Sequence, residues 1–460
     1  MIQTTPTYNH YANSQLPPEI IIQIGVHLKG STLTNALRVS RTWYTCLFPW
    51  IWHSFLLPNQ WKLAHLGSAW PDISQIQHCC HLIRNLICDD SPLLPNLFPS
   101  CNRLVWLELR DLTSDMALLI YQNAESLRHL VRKASVHQPD RDVSLYWPFF
   151  DAIGSLNHLD TLQLERLELS YSFFEICQRI SNLHLANCSW SSIGSAPHVK
   201  SFQSLKTLIL LKNKMSAMQE IDLITRCPEL VSLHWKATDQ IPGEEYERVE
   251  MQFSQLSKLK FLAINVSAIA DSDIVLLLKS LPALENFQAS SSRFRGYGTQ
   301  AILQYRTNLR ELDLSGCDTT IDNSLQQILG SCPNLEIFSG GVYNIMELHH
   351  GPWVCLQLQR LSISLVSKHT DPERQEDHLR MYQQLAALSE LRTLTLGTTL
   401  SIAYGYIDAM DLTLYRGFRF LCALKKLKEM TIGRMHQPLE STERMWIETT
   451  WPNLILLEDG

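Results

Sequence analysis

Few side chains in this sequence stand where bond chemistry could use them. The run His78-Cys79-Cys80-His81 offers four metal-ligand side chains. It lacks the two-residue spacers usual in a tetrahedral zinc site, and adjacent side chains diverge. No metal and no cofactor is expected. Gly296-Tyr297-Gly298 is too short for a phosphate-cradling loop, and no serine or cysteine nucleophile motif stands out. The expected chemistry is therefore contact rather than catalysis, and the chain is expected not to be an enzyme.

Contact residues emerge from the alternation along short apolar strands. Beside the strand leucines stand Trp106, Glu108 and Arg110, then Ser232, His234 and Lys236, then Phe261, Glu311 and Asp313. Successive strand side chains point to opposite faces, so these nine are expected on the concave face, away from the leucines. They are candidate contacts for a large partner. Trp106 and Phe261 lead them, because aromatic residues are enriched in binding hot spots. Acidic and basic residues mix on this face, so no charge class of partner follows.

The elements that must hold these residues recur. Repeat cores begin at Ile83, Leu104, Leu127, Leu159, Ile180, Leu205, Leu230, Leu259, Leu284, Leu309, Leu335, Leu358, Leu391, Leu427 and Leu454. The clearest is Leu309-x-x-Leu312-x-Leu314-x-x-Cys317, one turn of a solenoid around a short strand. Ile321, Leu325, Ile328 and Leu329 then share one helical face. Cys332-Pro333 ends that helix, as Cys227-Pro228, Leu281-Pro282 and Trp451-Pro452 end others. No single unit can bury its apolar face, so the units must stack. Strands about 4.8 Å apart would trace an arc on the order of 70 Å, a surface sized for a protein. Longer gaps at 130–156, 367–381 and 398–420, and an acidic cluster of Glu244, Glu245, Glu247 and Glu250, read as solvated loops.

Totals narrow the class further. The chain has 460 residues, 45% hydrophobic and 18% charged, a folded composition. That length exceeds one compact core, a limit that a repeat array escapes. A net charge of -6 argues against a nucleic-acid partner. Met1 to Gln15 is polar without an apolar signal core, and no apolar stretch approaches membrane-spanning length. The twelve scattered cysteines, with Cys188, Cys227, Cys317 and Cys332 on repeat positions, read as reduced buried thiols. The expected location is cytoplasmic, nuclear or both.

A different pattern precedes the array. Leu16-Pro17-Pro18-Glu19-Ile20 starts a helix at prolines, whose missing N–H costs nothing there, and Ile20, Ile24 and Leu28 share one face. Gly30 is expected to stop it. Leu33, Ala36, Leu37 and Val39 mark a second short segment, and Arg41, Trp43, Tyr44 and Leu47 a third, followed by Pro49 and Ile51-Trp52. Three short helices bury little apolar surface, so such a module usually leaves a face for another chain.

Leu16, Pro17, Glu19, Ile20, Ile24, Leu28, Leu33, Val39, Arg41, Trp43, Leu47 and Trp52, in that order, resemble an F-box. The sequence departs from that pattern at Ser40, where cysteine is usual, and at Thr32, where an acidic residue is common. Gly25 inside the first helix is also unfavourable, by about 1 kcal/mol against alanine. The Cys-Pro-x-Leu phrase and the closing cysteine look like the cysteine-containing class of leucine-rich repeats. The fold implied is α/β: a short N-terminal three-helix F-box, then a curved leucine-rich-repeat solenoid with strands concave and helices convex. The expected divisions are a disordered tail over 1–13, the F-box over 14–55 and a linker or capping segment over 56–80. An array of about 15 units then fills 81–460.

That pairing resembles the substrate receptors of SCF-type ubiquitin ligases. The resemblance implies that the F-box docks on the Skp-class adaptor of a cullin–RING ligase while the repeats hold an unidentified protein substrate. The adaptor contacts it implies are Leu16, Pro17, Glu19, Ile20, Ile24, Leu28, Leu37, Val39, Trp43, Leu47 and Trp52. The alternative is a leucine-rich-repeat interaction scaffold that never joins a ligase.

Overall fold

Leucines at every second position of a short segment can be buried only if the segment is extended and one of its faces is covered. The computed structural model of this chain resolves that demand by stacking. It describes residues 16–57, 71–88, 98–110, 114–134, 146–169, 171–190, 201–236, 253–264, 271–289, 296–315, 317, 324–345, 351–366, 375–397, 411–433 and 439–458. Two compact units divide the chain, residues 1–165 and 166–460.

The first unit opens with three helices, α1 (Pro18–His27), α2 (Ser31–Ala36) and α3 (Arg41–His53). Pro18 occupies the first turn of α1, where a missing N–H breaks no bond. Gly30 takes a φ of 52° at the start of α2, a conformation that side-chain-bearing residues rarely adopt. Ser40 caps α3: its Oγ accepts from the Trp43 N–H at 3.3 Å. The helix continues through Pro49 to His53. Ile21, Leu33, Ala36 and Leu47 form the shared core, with Leu28, Leu37, Trp43, Cys46 and Trp50 packed against it.

Among the described residues of this unit, five parallel strands follow: β1 (Ser54–Leu57), β2 (Asn85–Cys88), β3 (Trp106–Leu109), β4 (His129–Arg132) and β5 (Thr161–Glu165). Each pairs with its neighbour in sequence. The second unit holds β6 (Asn182–Ala186), β7 (Thr207–Leu211), β8 (Ser232–Lys236), β9 (Phe261–Ile264), β10 (Asn286–Ala289) and β11 (Glu311–Asp313). It continues with β12 (Ile337–Asn344), β13 (Arg360–Val366), β14 (Thr393–Leu396), β15 (Glu429–Ile432) and β16 (Ile455–Glu458). Parallel pairing again runs from each strand to the next.

All fifteen repeat cores read from the sequence become strands, β2 to β16, each starting one or two residues after its first apolar residue. That first residue is buried before ladder pairing begins, as Leu104, Leu205 and Leu309 are. One strand was not expected. β1 leaves α3 directly, inside residues assigned to the F-box and the linker, and no Leu-x-x-Leu frame marks it.

In the second unit, Arg166, Asn187 and Lys212 take φ values of 50°, 53° and 51° at equivalent places just past β5, β6 and β7. There the backbone turns while each N–H still bonds a carbonyl of the following repeat, Arg166 to Ala186 and Asn187 to Leu211, both at 2.9 Å. Return helices end where proline was expected to end them: Ala217–Thr225 before Pro228, Asp271–Lys279 before Pro282, and Ser441–Thr450 before Pro452. Ser324–Leu329 ends before Pro333 and buries Leu325, Ile328 and Leu329; Ile321 lies outside the described residues. The gap at 367–381 is partly a helix, Gln375–Ala386, rather than a loop throughout. The gap at 130–156 likewise contains Tyr146–Gly154. Glu244, Glu245, Glu247 and Glu250 lie outside the described residues.

Candidate functional site

Two surfaces carry side chains that the core does not use. The first is on the three N-terminal helices. Ile21 and Leu47 are buried, so α1 and α3 close against each other. A Cβ on Gly25 would lie 2.5 Å from Leu47 Cδ2 and 3.4 Å from Trp50 Cδ1. The glycine that looked merely unfavourable for a helix is thus the contact that lets two helices approach.

Outside that contact, Leu16 and Ile20 are 43% and 40% exposed and Val39 is 63% exposed. Pro17 and Glu19 are exposed as well, and Ile24, Leu28, Leu37 and Trp43 are half-buried. Two expected contacts are corrected. Leu47 is fully buried and Trp52 nearly so. Both serve the interior, because α3 turns them toward α1 and the first strands. Four exposed apolar residues were missed: Ile22, Val26, Tyr44 and Ile51. Ile22 and Val26 stand four apart on α1, off its buried face, a spacing that the sequence displays.

The second surface is the outward face of the strands. Trp106 and Glu108 do share it in the first unit. Trp106 packs against His129 with ring centroids 5.3 Å apart. Glu108 is corrected from an open contact to a nearly buried one: its carboxylate pairs with Lys133 Nζ at 2.9 Å and its side chain is 9% exposed. Arg110 falls one residue past β3 and is exposed. An open pocket of about 320 Å³ lies over β1 to β3. Among the described residues it is lined by Ser54, Phe55, Leu56, Asn85, Ile87, Trp106 and Glu108.

In the second unit, Ser232, His234 and Lys236 lie half-exposed along β8. His234 stacks on Phe261 of β9 with centroids 4.6 Å apart, and burial pushes its pKa below the usual histidine value. Glu311 on β11 accepts from Asn286 Nδ2 at 2.9 Å and Gln288 Nε2 at 3.0 Å. Asp313 Oδ1 accepts from the Ser315 N–H at 2.9 Å. β8 and β9 are thus brought together, while Glu311 and Asp313 stand two strands beyond Phe261.

His78 and His81 are exposed while Cys79 and Cys80 are buried, so the four side chains do not converge. Among the described residues no group of three or more His, Cys, Asp or Glu side chains is placed to hold a metal ion. Nor is any helix there long and apolar enough to cross a membrane.

Residues 13–58 match the F-box-like family. The F-box/LRR-repeat protein 4 of Bos taurus is 22% identical over 286 residues, covering 58% of this chain and 42% of that protein. The chain therefore spans less than half the length of that relative. Among solved structures, a leucine-rich-repeat protein of Leptospira interrogans aligns over 88% of this chain and 99% of its own, with 15% identity and a TM-score of 0.45. An internalin of Listeria monocytogenes aligns over 79% and 83%, with 14% identity and a TM-score of 0.38. The parallel ladders themselves define the repeat fold. Residues 13–58 are thus F-box-like, and the strands that follow form leucine-rich-repeat ladders within each unit, a combination that the name of the Bos taurus relative also states.

Proposed function

We propose that the chain is the substrate-recognition subunit of an SCF-type ubiquitin ligase. Its F-box-like helices dock on a Skp-class adaptor, and its strand face holds a protein substrate. The observation that carries this reading is the set of apolar side chains left outside a closed helical core: Leu16, Ile20, Ile22, Val26, Val39, Tyr44 and Ile51. Apolar exposure of this extent on a small helical domain marks a surface for another protein. On this reading Leu16, Pro17, Glu19, Ile20 and Val39 meet the adaptor directly. Ile24, Leu28, Leu37 and Trp43 contribute edges, while Leu47 and Trp52 hold the helices in place.

The receptor performs no bond chemistry. It raises the local concentration of substrate lysines near a ubiquitin-charged enzyme, and tethering of this kind accelerates a reaction without a new catalytic group. Trp106, Ser232, His234, Phe261, Glu311 and Asp313 are the proposed substrate contacts, with Arg110 and Lys236 at the strand ends.

Co-purification with the Skp-class adaptor tests the first half. The wild-type chain is expected to retain the adaptor. Leu16→Ala/Pro17→Ala is expected to weaken retention about tenfold or more, since desolvated anchors are worth about 2 kcal/mol each. Both positions are exposed, so thermal unfolding should be unchanged. No association in either sample would favour the scaffold reading.

A further inference from the structure

We infer that the pocket over β1 to β3 receives an uncharged aromatic side chain carrying a hydrogen-bond donor at its tip, with tyrosine the best fit, from the bound protein. The inference deepens the substrate-receptor reading and rests on it.

The walls are apolar: Phe55, Leu56, Ile87 and Trp106 line the pocket. Leu56 is 53% exposed and makes one edge of the opening. Trp106 is held by His129, so it stands as a fixed wall against which a second ring can pack edge-on or offset. The volume, about 320 Å³, is at the small end for ligand pockets and admits one large side chain.

Glu108 sets the polar requirement. Its side chain is more than nine-tenths buried and lines the pocket. Lys133 Nζ approaches its Oε1 at 2.9 Å. A carboxylate can accept several hydrogen bonds, so acceptor capacity is left over in a partly desolvated site. Because Lys133 already cancels the charge of Glu108, the pocket is electrically balanced. An arginine tip would bring a second cation beside Lys133. A phosphorylated tyrosine would bring a dianion beside Glu108. A phenol supplies a further donor without adding charge, and a buried tyrosine hydroxyl itself needs a partner.

Saturation-transfer NMR on the full chain, without adaptor, tests this with N-acetyl-tyrosinamide, N-acetyl-phenylalaninamide and N-acetyl-argininamide. The tyrosine probe is expected to bind at least about threefold more tightly than the phenylalanine probe, the size of a net hydrogen bond, with the arginine probe weakest. Ile87→Trp fills the pocket from an outward-facing, half-buried position and should abolish binding. Glu108→Leu keeps the apolar volume without the acceptor and should erase the tyrosine preference. Equal affinity for tyrosine and phenylalanine, preference for arginine, or binding that survives Ile87→Trp would overturn the inference. The assay contains no adaptor, so its failure and a failure of adaptor co-purification are separate results.

Discussion

At the scale of single residues, one tightly committed polar group is Glu220, which is fully buried. Its Oε2 accepts from Trp235 Nε1 at 2.8 Å, and its Oε1 accepts from Asn213 Nδ2 at 3.3 Å. Asn213 Oδ1 in turn accepts the Cys188 N–H of the preceding repeat at 3.0 Å. Asn213 stands 25 residues after Cys188, at the asparagine-or-cysteine position of the repeat, so this chain of bonds ties neighbouring repeats together. Replacing Glu220 by alanine removes the acceptor of an indole and an amide in the interior. The expected cost is about 3 kcal/mol, read by denaturant unfolding, because each buried donor left without that acceptor costs about 1–3 kcal/mol. Glu220→Gln keeps an acceptor and should cost less. A loss under about 1 kcal/mol for the alanine variant would show that water replaces the carboxylate there.

At the scale of elements, the crossing of α1 and α3 decides whether the F-box-like unit forms. Gly25 has no Cβ where Leu47 and Trp50 press in. Valine there should destabilise the unit by about 2 kcal/mol, since overpacking a closed core costs about 1–3 kcal/mol and valine gains little as a helix former. Limited proteolysis should then cut within residues 16–53 before the repeats. Cleavage no faster than in the wild type would mean that the helices separate freely to admit the side chain. The same crossing turns Leu47 inward, so its removal would weaken the proposed adaptor docking through folding rather than through contact. Ser40, where an F-box usually carries cysteine, has a local role here: its hydroxyl caps α3.

At the scale of the whole molecule, stacking buries the cysteines. No disulfide joins them, ten of the twelve are buried, Cys46 is half-buried and Cys422 is exposed. Burial pushes the thiols of Cys101 and Cys355 up to about 12 and that of Cys332 up to about 11. Cys177 and Cys227 are also raised by burial. Only the thiolate reacts, so a disulfide reagent at pH 8 should modify Cys422 quickly and Cys46 more slowly. All twelve thiols should titrate once denaturant opens the repeats. Rapid reaction of any of the ten buried thiols in the native chain would mean that the fold opens locally under those conditions.

Much of this was legible from residues alone. Leucine spacing near 25 and proline at the helix ends specify strand, return and stop locally, so the repeat cores could be counted without coordinates. The ordered apolar positions from Leu16 to Trp52 likewise marked three helices. Folding in three dimensions decided what no periodicity encodes: which face of each helix stays open, and which polar side chain finds a partner. Leu47 and Ile20 are both apolar residues on helices, yet one is sealed and the other open, because burial depends on the neighbour supplied by a distant segment. Glu108 reads as a free charge until β4 leads into Lys133 beside it. Local spacing is a property of the chain; burial and pairing are properties of the packed molecule.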